Sequence, residues 1–182
     1  KVERFEARPD KAVATPAFFG SFKVLKNHDL SVRAFYKRMF RMPTFNDLYY
    51  TDMGNAFLKP EYAEQFNVGL KYTRNFEKSP FMRMLDVSVD AYYNKITDKI
   101  IAYPKGQQFR WTMLNLGEVE IKGVDAVLNA LFTLGKLEVT TKFQYTYQKA
   151  IDITDPADTY YRDQIPYIPW HSGSAILALF YK

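Results

Sequence analysis

Hydrophobic and polar residues alternate along most of this chain with a period of two. The clearest case begins at residue 85, where an apolar row and a polar row are interleaved. The two rows are Leu85, Val87, Val89, Ala91 and Tyr93, and Asp86, Ser88, Asp90, Tyr92 and Asn94. Because successive side chains of a strand point to opposite faces, this segment is predicted to be a strand with one apolar face.

The same alternation predicts seven strands in all. Residues 137–147 repeat it as cleanly as residues 85–93, and residues 18–25 show it most weakly. The other segments are residues 30–37, 66–73, 124–133 and 175–181. No convincing helix is predicted, although a helical turn opening at Pro60 is an alternative for residues 62–66. Residues 164–181 carry no charge, but Pro166, Pro169 and Gly173 exclude a membrane-spanning helix there.

The predicted connections alternate between short and long. Residues 27–29, 75–83 and 135–136 are short or moderate, whereas residues 41–61, 102–115 and 151–168 are long. Outer-membrane barrels combine short periplasmic turns with long extracellular loops, so the pattern favours part of a transmembrane barrel. A soluble or surface-attached β-sandwich that binds carbohydrate through aromatic loops is the alternative. On the barrel interpretation, the predicted lipid-facing residues are Val87, Val89, Val139, Phe143, Leu177 and Leu179.

The composition agrees with a barrel and excludes several other classes of protein. Aromatic residues make up 17% of the chain, and rings near strand ends suit the headgroup region of a bilayer. There is no cysteine and there are only two histidines, so thiolate or histidine-rich metal sites are excluded. The net charge of +5 is scattered, which argues against a nucleic-acid partner. No catalytic motif is present, and we predict no enzyme activity, no metal and no cofactor.

The three long connections supply the candidate ligand-binding residues. They are Arg41, Asp47, Tyr49 and Tyr50 in the first, Tyr103, Phe109, Arg110 and Trp111 in the second, and Tyr160, Tyr161 and Arg162 in the third. The alternative for the first set is packing on the rim, with Arg41 paired to an acid. The alternative for the second set is an anchor at the membrane interface. The acids of the third connection, at positions 152, 155 and 158, are interpreted as solvated rather than as calcium ligands.

One stretch is similar to a known family. Residues 41–49 are Arg-Met-Pro-Thr-Phe-Asn-Asp-Leu-Tyr, and Gly54-Asn55 and residues 58–61, Leu-Lys-Pro-Glu, follow. This run resembles the barrel of TonB-dependent outer-membrane receptors. Weaker matches follow in the family's order, at residues 92–100, 115, 123–125, 145–150 and 165–171. Asp125 departs from the family, which usually has Glu at that position.

The resemblance implies that residues 1–182 are part of one β-barrel domain of about 22 strands. The plug domain and the remaining strands would lie outside this segment. It implies the outer membrane of a Gram-negative bacterium and active uptake of a scarce, bulky ligand, such as a ferric siderophore, a corrinoid, haem or a glycan. The implied partners are membrane lipid, the plug domain and, through the plug, the TonB complex. Because its edges and apolar face would be uncovered, we expect the isolated segment to self-associate.

Overall fold

The computed structural model describes residues 12–25, 29–105 and 110–181. It contains seven strands and one short helix. They are β1 Ala17–Leu25, β2 Asp29–Arg41, α1 Phe45–Tyr49, β3 Glu61–Asn75, β4 Met82–Lys105, β5 Arg110–Leu134, β6 Leu137–Asp152 and β7 His171–Tyr181. Each strand pairs antiparallel with its neighbour in sequence, so the sheet order is β1-β2-β3-β4-β5-β6-β7.

This topology confirms the predicted all-β meander of seven strands, including the weakly patterned first strand. In the described part of the chain, every strand belongs to this one sheet. A sandwich would need a second sheet packed on the first. The single open sheet therefore supports a barrel section rather than the sandwich alternative.

The register aligns the apolar rows of all seven strands on one face, which we call the apolar face. Val87 pairs with Leu128, and Leu128 pairs with Phe143 on the next strand. Val139 pairs with Leu179 at the far edge. All six residues predicted to face lipid lie on this face. Along β6, residues 137–147 span about 33 Å, which a strand tilt of about 40° reduces to about 25 Å, the height of the apolar band of outer-membrane barrels.

A line of neighbouring aromatic rings borders the apolar face on the side of the long connections, and we call it the aromatic row. Its four members come from β1, β2, β3 and β4. The ring centroids are 6.4 Å apart for Phe18 and Tyr36, 4.8 Å for Tyr36 and Phe66, and 6.3 Å for Phe66 and Tyr93. Rings in this position match the aromatic girdle of a membrane barrel.

The opposite face, which we call the polar face, is joined by ion pairs and hydrogen bonds between strands. Arg33 of β2 pairs with Asp90 of β4 across the intervening strand. Gly69 of β3 permits this contact because a Cβ there would meet both side chains. Asp86 accepts a hydrogen bond from the Thr73 hydroxyl at 2.7 Å. These pairs neutralise charged side chains on the polar face.

Two local predictions are wrong, and one alternative is excluded. Residues 102–115 are not a long loop, because β4 and β5 stay paired up to Lys105 and Arg110 and leave residues 106–109 outside the described part. Residues 62–66 are not helical, because β3 pairs with β2 from Glu61 onward. A helix that was not predicted, α1, forms instead within the first long connection. Among the described residues, no helix is long and apolar enough to cross a bilayer.

Candidate ligand-binding site at the loop end of the sheet

Helix α1 is fixed by a capping box at its first turn. Thr44 Oγ1 accepts a hydrogen bond from the Asp47 N–H at 3.2 Å, and Asp47 Oδ2 accepts one from the Thr44 N–H at 2.9 Å. This reciprocal arrangement satisfies two N–H groups that a helix start leaves without partners. The sequence Thr44-Phe45-Asn46-Asp47 therefore starts a helix although its surroundings are extended.

Asp47 also joins α1 to the ends of β2 and β3. Arg41 Nη2 donates to Asp47 Oδ2 at 3.0 Å, and Arg41 Nη1 lies 3.6 Å from Glu61 Oε2. Glu61 accepts a further hydrogen bond from the Ile100 N–H at 3.0 Å. Burial opposes the ionisation of Asp47, but hydrogen bonds with Thr44 and the Arg41 charge outweigh it, so the pKa of this carboxyl lies below its ordinary value.

Residues 42–60, which we call the docked loop, are hydrogen-bonded to the backbone of β5. The Met113 N–H donates to the Met53 carbonyl at 2.9 Å, and Asn55 Nδ2 donates to the Met113 carbonyl at 3.0 Å. Asn115 Oδ1 accepts from the Lys59 N–H at 2.8 Å, and Asn115 Nδ2 donates to the Lys59 carbonyl at 3.1 Å. Two asparagine side chains thus hold the docked loop where a further strand would otherwise pair.

Close packing completes the docked loop. Leu58 is only 2% exposed. A Cβ at Gly54 would come within 2.7 Å of the backbone nitrogens of Tyr49 and Tyr50. Only glycine fits that position without displacing backbone, which gives a physical reason for Gly54 in the motif. The docked loop is therefore a rigid part of the sheet end.

A groove lies between the loop ends of β4 and β5 and the connection after β6. Its volume is about 470 Å³. Aromatic, aliphatic and carboxylate groups line it, notably Tyr103, Tyr160, Leu114, Asp152, Asp158 and Asp163. We call it the tyrosine groove. A smaller groove of about 270 Å³ adjoins it and is lined by Tyr103 and Tyr167, among others.

Among the described residues, the tyrosine groove is lined by carboxylates but by no lysine or arginine. Two of the carboxylates are held by turns, since Asp152 accepts from the Thr154 N–H at 2.8 Å and Asp158 from the Tyr160 N–H at 2.9 Å. In the part of the chain that the structure describes, no three acidic or imidazole side chains are gathered as a metal site would require. The groove therefore suits a ligand that donates hydrogen bonds rather than an anion.

The structure brings two of the three predicted residue sets together. Tyr103 of the second set and Tyr160 of the third line the same groove. The Trp111 ring, also of the second set, lies 5.8 Å from the ring of Tyr167. Arg110, Tyr161 and Arg162 lie near this region without lining either groove. Phe109 lies outside the described residues.

The first set is divided by the structure. Arg41 and Asp47 are engaged in the ion-pair network, and Asp47 is only 9% exposed. Tyr49 and Tyr50 are 52% and 59% exposed and free to meet a ligand. As ligand contacts, the residues of all three sets stay predictions.

Sequence reasoning missed the residues that position the site. Asn55 and Asn115 were part of the family pattern in the sequence, but no neighbouring residue indicates which groups they hydrogen-bond. Gln164 was also missed: its Oε1 accepts from the Ala150 N–H at 3.0 Å, and its Nε2 donates to the Ile168 carbonyl at 3.0 Å. Tyr167 stands in the Ile-Pro-Tyr-Ile-Pro run, where the flanking prolines were the available signal of an ordered turn.

Comparison with known proteins places this sheet and site in a class. A family model described as "TonB dependent receptor-like, beta-barrel" matches residues 2–182. The chain belongs to the TonB-dependent receptor family, as the sequence predicted. Receptors of this family are outer-membrane proteins of Gram-negative bacteria and not enzymes, so the predicted compartment and the non-enzymatic class are confirmed by membership.

Two relatives of this chain are both named as vitamin B12 transporters. The chain is 34% identical over 99 residues to the vitamin B12 transporter BtuB of Vibrio vulnificus, which covers 54% of the chain and 14% of the relative. It is 34% identical over 113 residues to the vitamin B12 transporter BtuB of Photobacterium profundum, which covers 58% of the chain and 16% of the relative. The matches thus cover about one-seventh of these relatives, and neither points to a siderophore.

Proposed function

We propose that this chain is part of one barrel domain and that its apolar face contacts membrane lipid. Three observations support this orientation: the apolar rows are in register, the aromatic row borders them, and the ion pairs between this row and the tight turns lie on the other face. Leu177 and Leu179 are 64% and 59% exposed, as lipid contacts would be in a chain without its bilayer. The polar face then lines the lumen.

In the complete receptor the polar face would surround a plug domain, through which the TonB complex would supply energy. The docked loop, the tyrosine groove and the connection after β6 lie at the end with long connections. By the rule of short periplasmic turns and long outer loops, this end faces the exterior. The ligand would therefore meet the tyrosine groove before it reached the lumen.

The ligand we propose is a corrinoid, and the charge of the tyrosine groove carries the argument. Three carboxylates, with no cation among the described lining residues, disfavour haem and the catecholate or carboxylate types of ferric siderophore, which are anionic. A corrinoid is a flat macrocycle whose rim bears amides. Its N–H groups can donate to carboxylates while its apolar edge packs on Tyr103 and Tyr160. The two relatives, which are named as vitamin B12 transporters, agree with this ligand class.

A neutral glycan would satisfy the same groove, and a competition experiment separates the possibilities. The complete receptor is purified in detergent and titrated with cyanocobalamin, with an anionic ferric catecholate, with haemin and with maltoheptaose. We expect saturable binding of cyanocobalamin and no competition by the other three. Tight binding of the ferric chelate or haemin, with none of cyanocobalamin, would contradict the proposal.

A further inference from the structure

On β5 and β6, lysines take the positions that aromatic rings occupy on the first four strands. In the register, Tyr93 of β4 lies opposite Lys122 of β5, and Lys122 lies opposite Lys149 of β6. All three side chains belong to the apolar face. Two ammonium groups therefore stand at the level where the first four strands have rings.

The charges of this pair are not balanced within the protein. Like charges directly opposite each other destabilise a sheet. Lys122 Nζ lies 2.8 Å from Glu120 Oε1, and the Tyr93 hydroxyl donates to the other Glu120 oxygen at 3.1 Å. No acidic side chain of the described residues forms an ion pair with Lys149. Glu120 thus pairs with Lys122, and the positive charge of Lys149 is in excess.

Aromatic rings hold both ammonium groups at the border of the apolar face. Lys122 Nζ lies 5.4 Å from the centroid of the Tyr93 ring, and Lys149 Nζ lies 5.6 Å from that of Trp170. The Trp170 ring is in turn 6.2 Å from that of Tyr147, so it is supported from the sheet. Cations over ring faces at these distances are attracted to them. Both lysines, which are cross-strand neighbours in the register, are therefore held at the border rather than spread into solvent.

We propose that Lys122 and Lys149 bind the phosphate of a lipid headgroup in the leaflet at the loop end. This rests on the proposed function, because it requires the apolar face to contact lipid. A phosphate between the two ammonium groups would remove their repulsion and gain charge-assisted hydrogen bonds. The acyl chains of the same lipid would cover the apolar-face residues of the next row, Val124 and Tyr147. Basic groups at a bilayer surface attract anionic headgroups in this way.

The test uses the complete receptor in phosphatidylcholine nanodiscs doped either with phosphatidic acid or with diacylglycerol of the same acyl chains. These probes differ only in the phosphate. Native mass spectrometry after release from the nanodiscs measures which lipid is retained. The variant is Lys122→Gln with Lys149→Gln. The matched control is Lys136→Gln with Lys142→Gln, which removes the same charge from a turn and from the polar face.

We expect wild type and control to retain phosphatidic acid equally and the Lys122/Lys149 variant to bind it about thirtyfold more weakly, from about fivefold per lysine. Retention of diacylglycerol should not change. If the double variant does not fold, Lys149→Gln alone should show the fivefold loss. Equal retention by variant and control would overturn the proposal, as would displacement by millimolar inorganic phosphate, which would indicate a site for the free anion.

Heat-modifiable gel mobility separates this proposal from the proposed function. A wild-type receptor that does not fold in lipid would contradict both. Folded barrels that retain phosphatidic acid regardless of the two lysines would contradict the lipid site alone.

Discussion

The middle of the sheet and its loop end are built on different principles. In the middle, the apolar face is formed by residues whose partners lie directly across neighbouring strands, as Val87 does with Leu128. At the loop end, side chains reach distant backbone, as Asn115 does at Lys59. The middle of the sheet is held by the same kind of apolar pair repeated from strand to strand, whereas the loop end is held by a few particular residues. The two regions should therefore respond differently to substitution.

The largest effect is expected from a charge on the apolar face. Val87→Arg should destabilise the membrane-assembled receptor by about 2–4 kcal/mol, because the guanidinium would lie near the bilayer midplane. Ser88→Arg, one residue away on the polar face, should have a much smaller effect. Urea titration of the refolded receptor in vesicles, followed by heat-modifiable mobility, measures both. Equal destabilisation would remove the distinction between the faces.

A smaller loss is expected from overpacking at the loop end. Gly54→Ala places a methyl group against the backbone of Tyr49 and Tyr50 and should cost about 1–3 kcal/mol. Gly20→Ala is the matched control, since a Cβ there has no atom within 4 Å. Limited proteolysis of the docked loop on folded receptor should show cleavage only in Gly54→Ala. A resistant Gly54→Ala variant would mean that the docked loop is not held as described.

Lowering the pH should destabilise the docked loop. The pKa of Asp47 is lowered in the folded protein, so the ionised carboxyl stabilises the loop above its ordinary pKa of 3.8. That stabilisation is lost as the pH falls through the lowered folded value. Hydrogen exchange of the docked loop should therefore accelerate, relative to its intrinsic rate, below about pH 3.8 in wild type. In Asp47→Asn the docked loop should be less stable by about 1 kcal/mol at neutral pH, and its hydrogen exchange should not accelerate in acid. If hydrogen exchange of the docked loop still accelerates in acid in Asp47→Asn, a group other than Asp47 causes the acceleration.

The smallest effect on stability, and the clearest on binding, is expected in the tyrosine groove. Tyr160 is 72% exposed, so Tyr160→Ala should change stability by no more than about 0.5 kcal/mol. It should weaken cyanocobalamin binding by about fivefold through the loss of a ring contact, measured by titration calorimetry. Tyr160→Phe keeps the ring and should bind as wild type does. Unchanged binding by Tyr160→Ala would remove this residue from the site.

The strands could be predicted from the sequence because their side chains alternate regularly. Contacts that depend on distant residues could not be predicted. The strands at 85–93 and 137–147 could be predicted because their faces alternate strictly. Residues 102–115 looked like a loop because polar residues and a proline interrupt the alternation, yet pairs such as Ile101 with Leu114 continue the ladder. Asn55 and Asn115 could not be assigned, because their partners are 58 and 56 residues away. The tyrosine groove depends on that same long-range arrangement.

Thiol labelling on intact cells tests the orientation of this barrel wall most directly. The 182-residue chain contains no cysteine, so a single introduced thiol is the only target within it. With Ala157→Cys in the connection after β6 and Lys136→Cys in the tight turn, the complete receptor is treated with an impermeant maleimide. From this orientation we expect labelling at position 157 on intact cells and at position 136 only after lysis. Labelling of position 136 on intact cells, with position 157 protected, would contradict it.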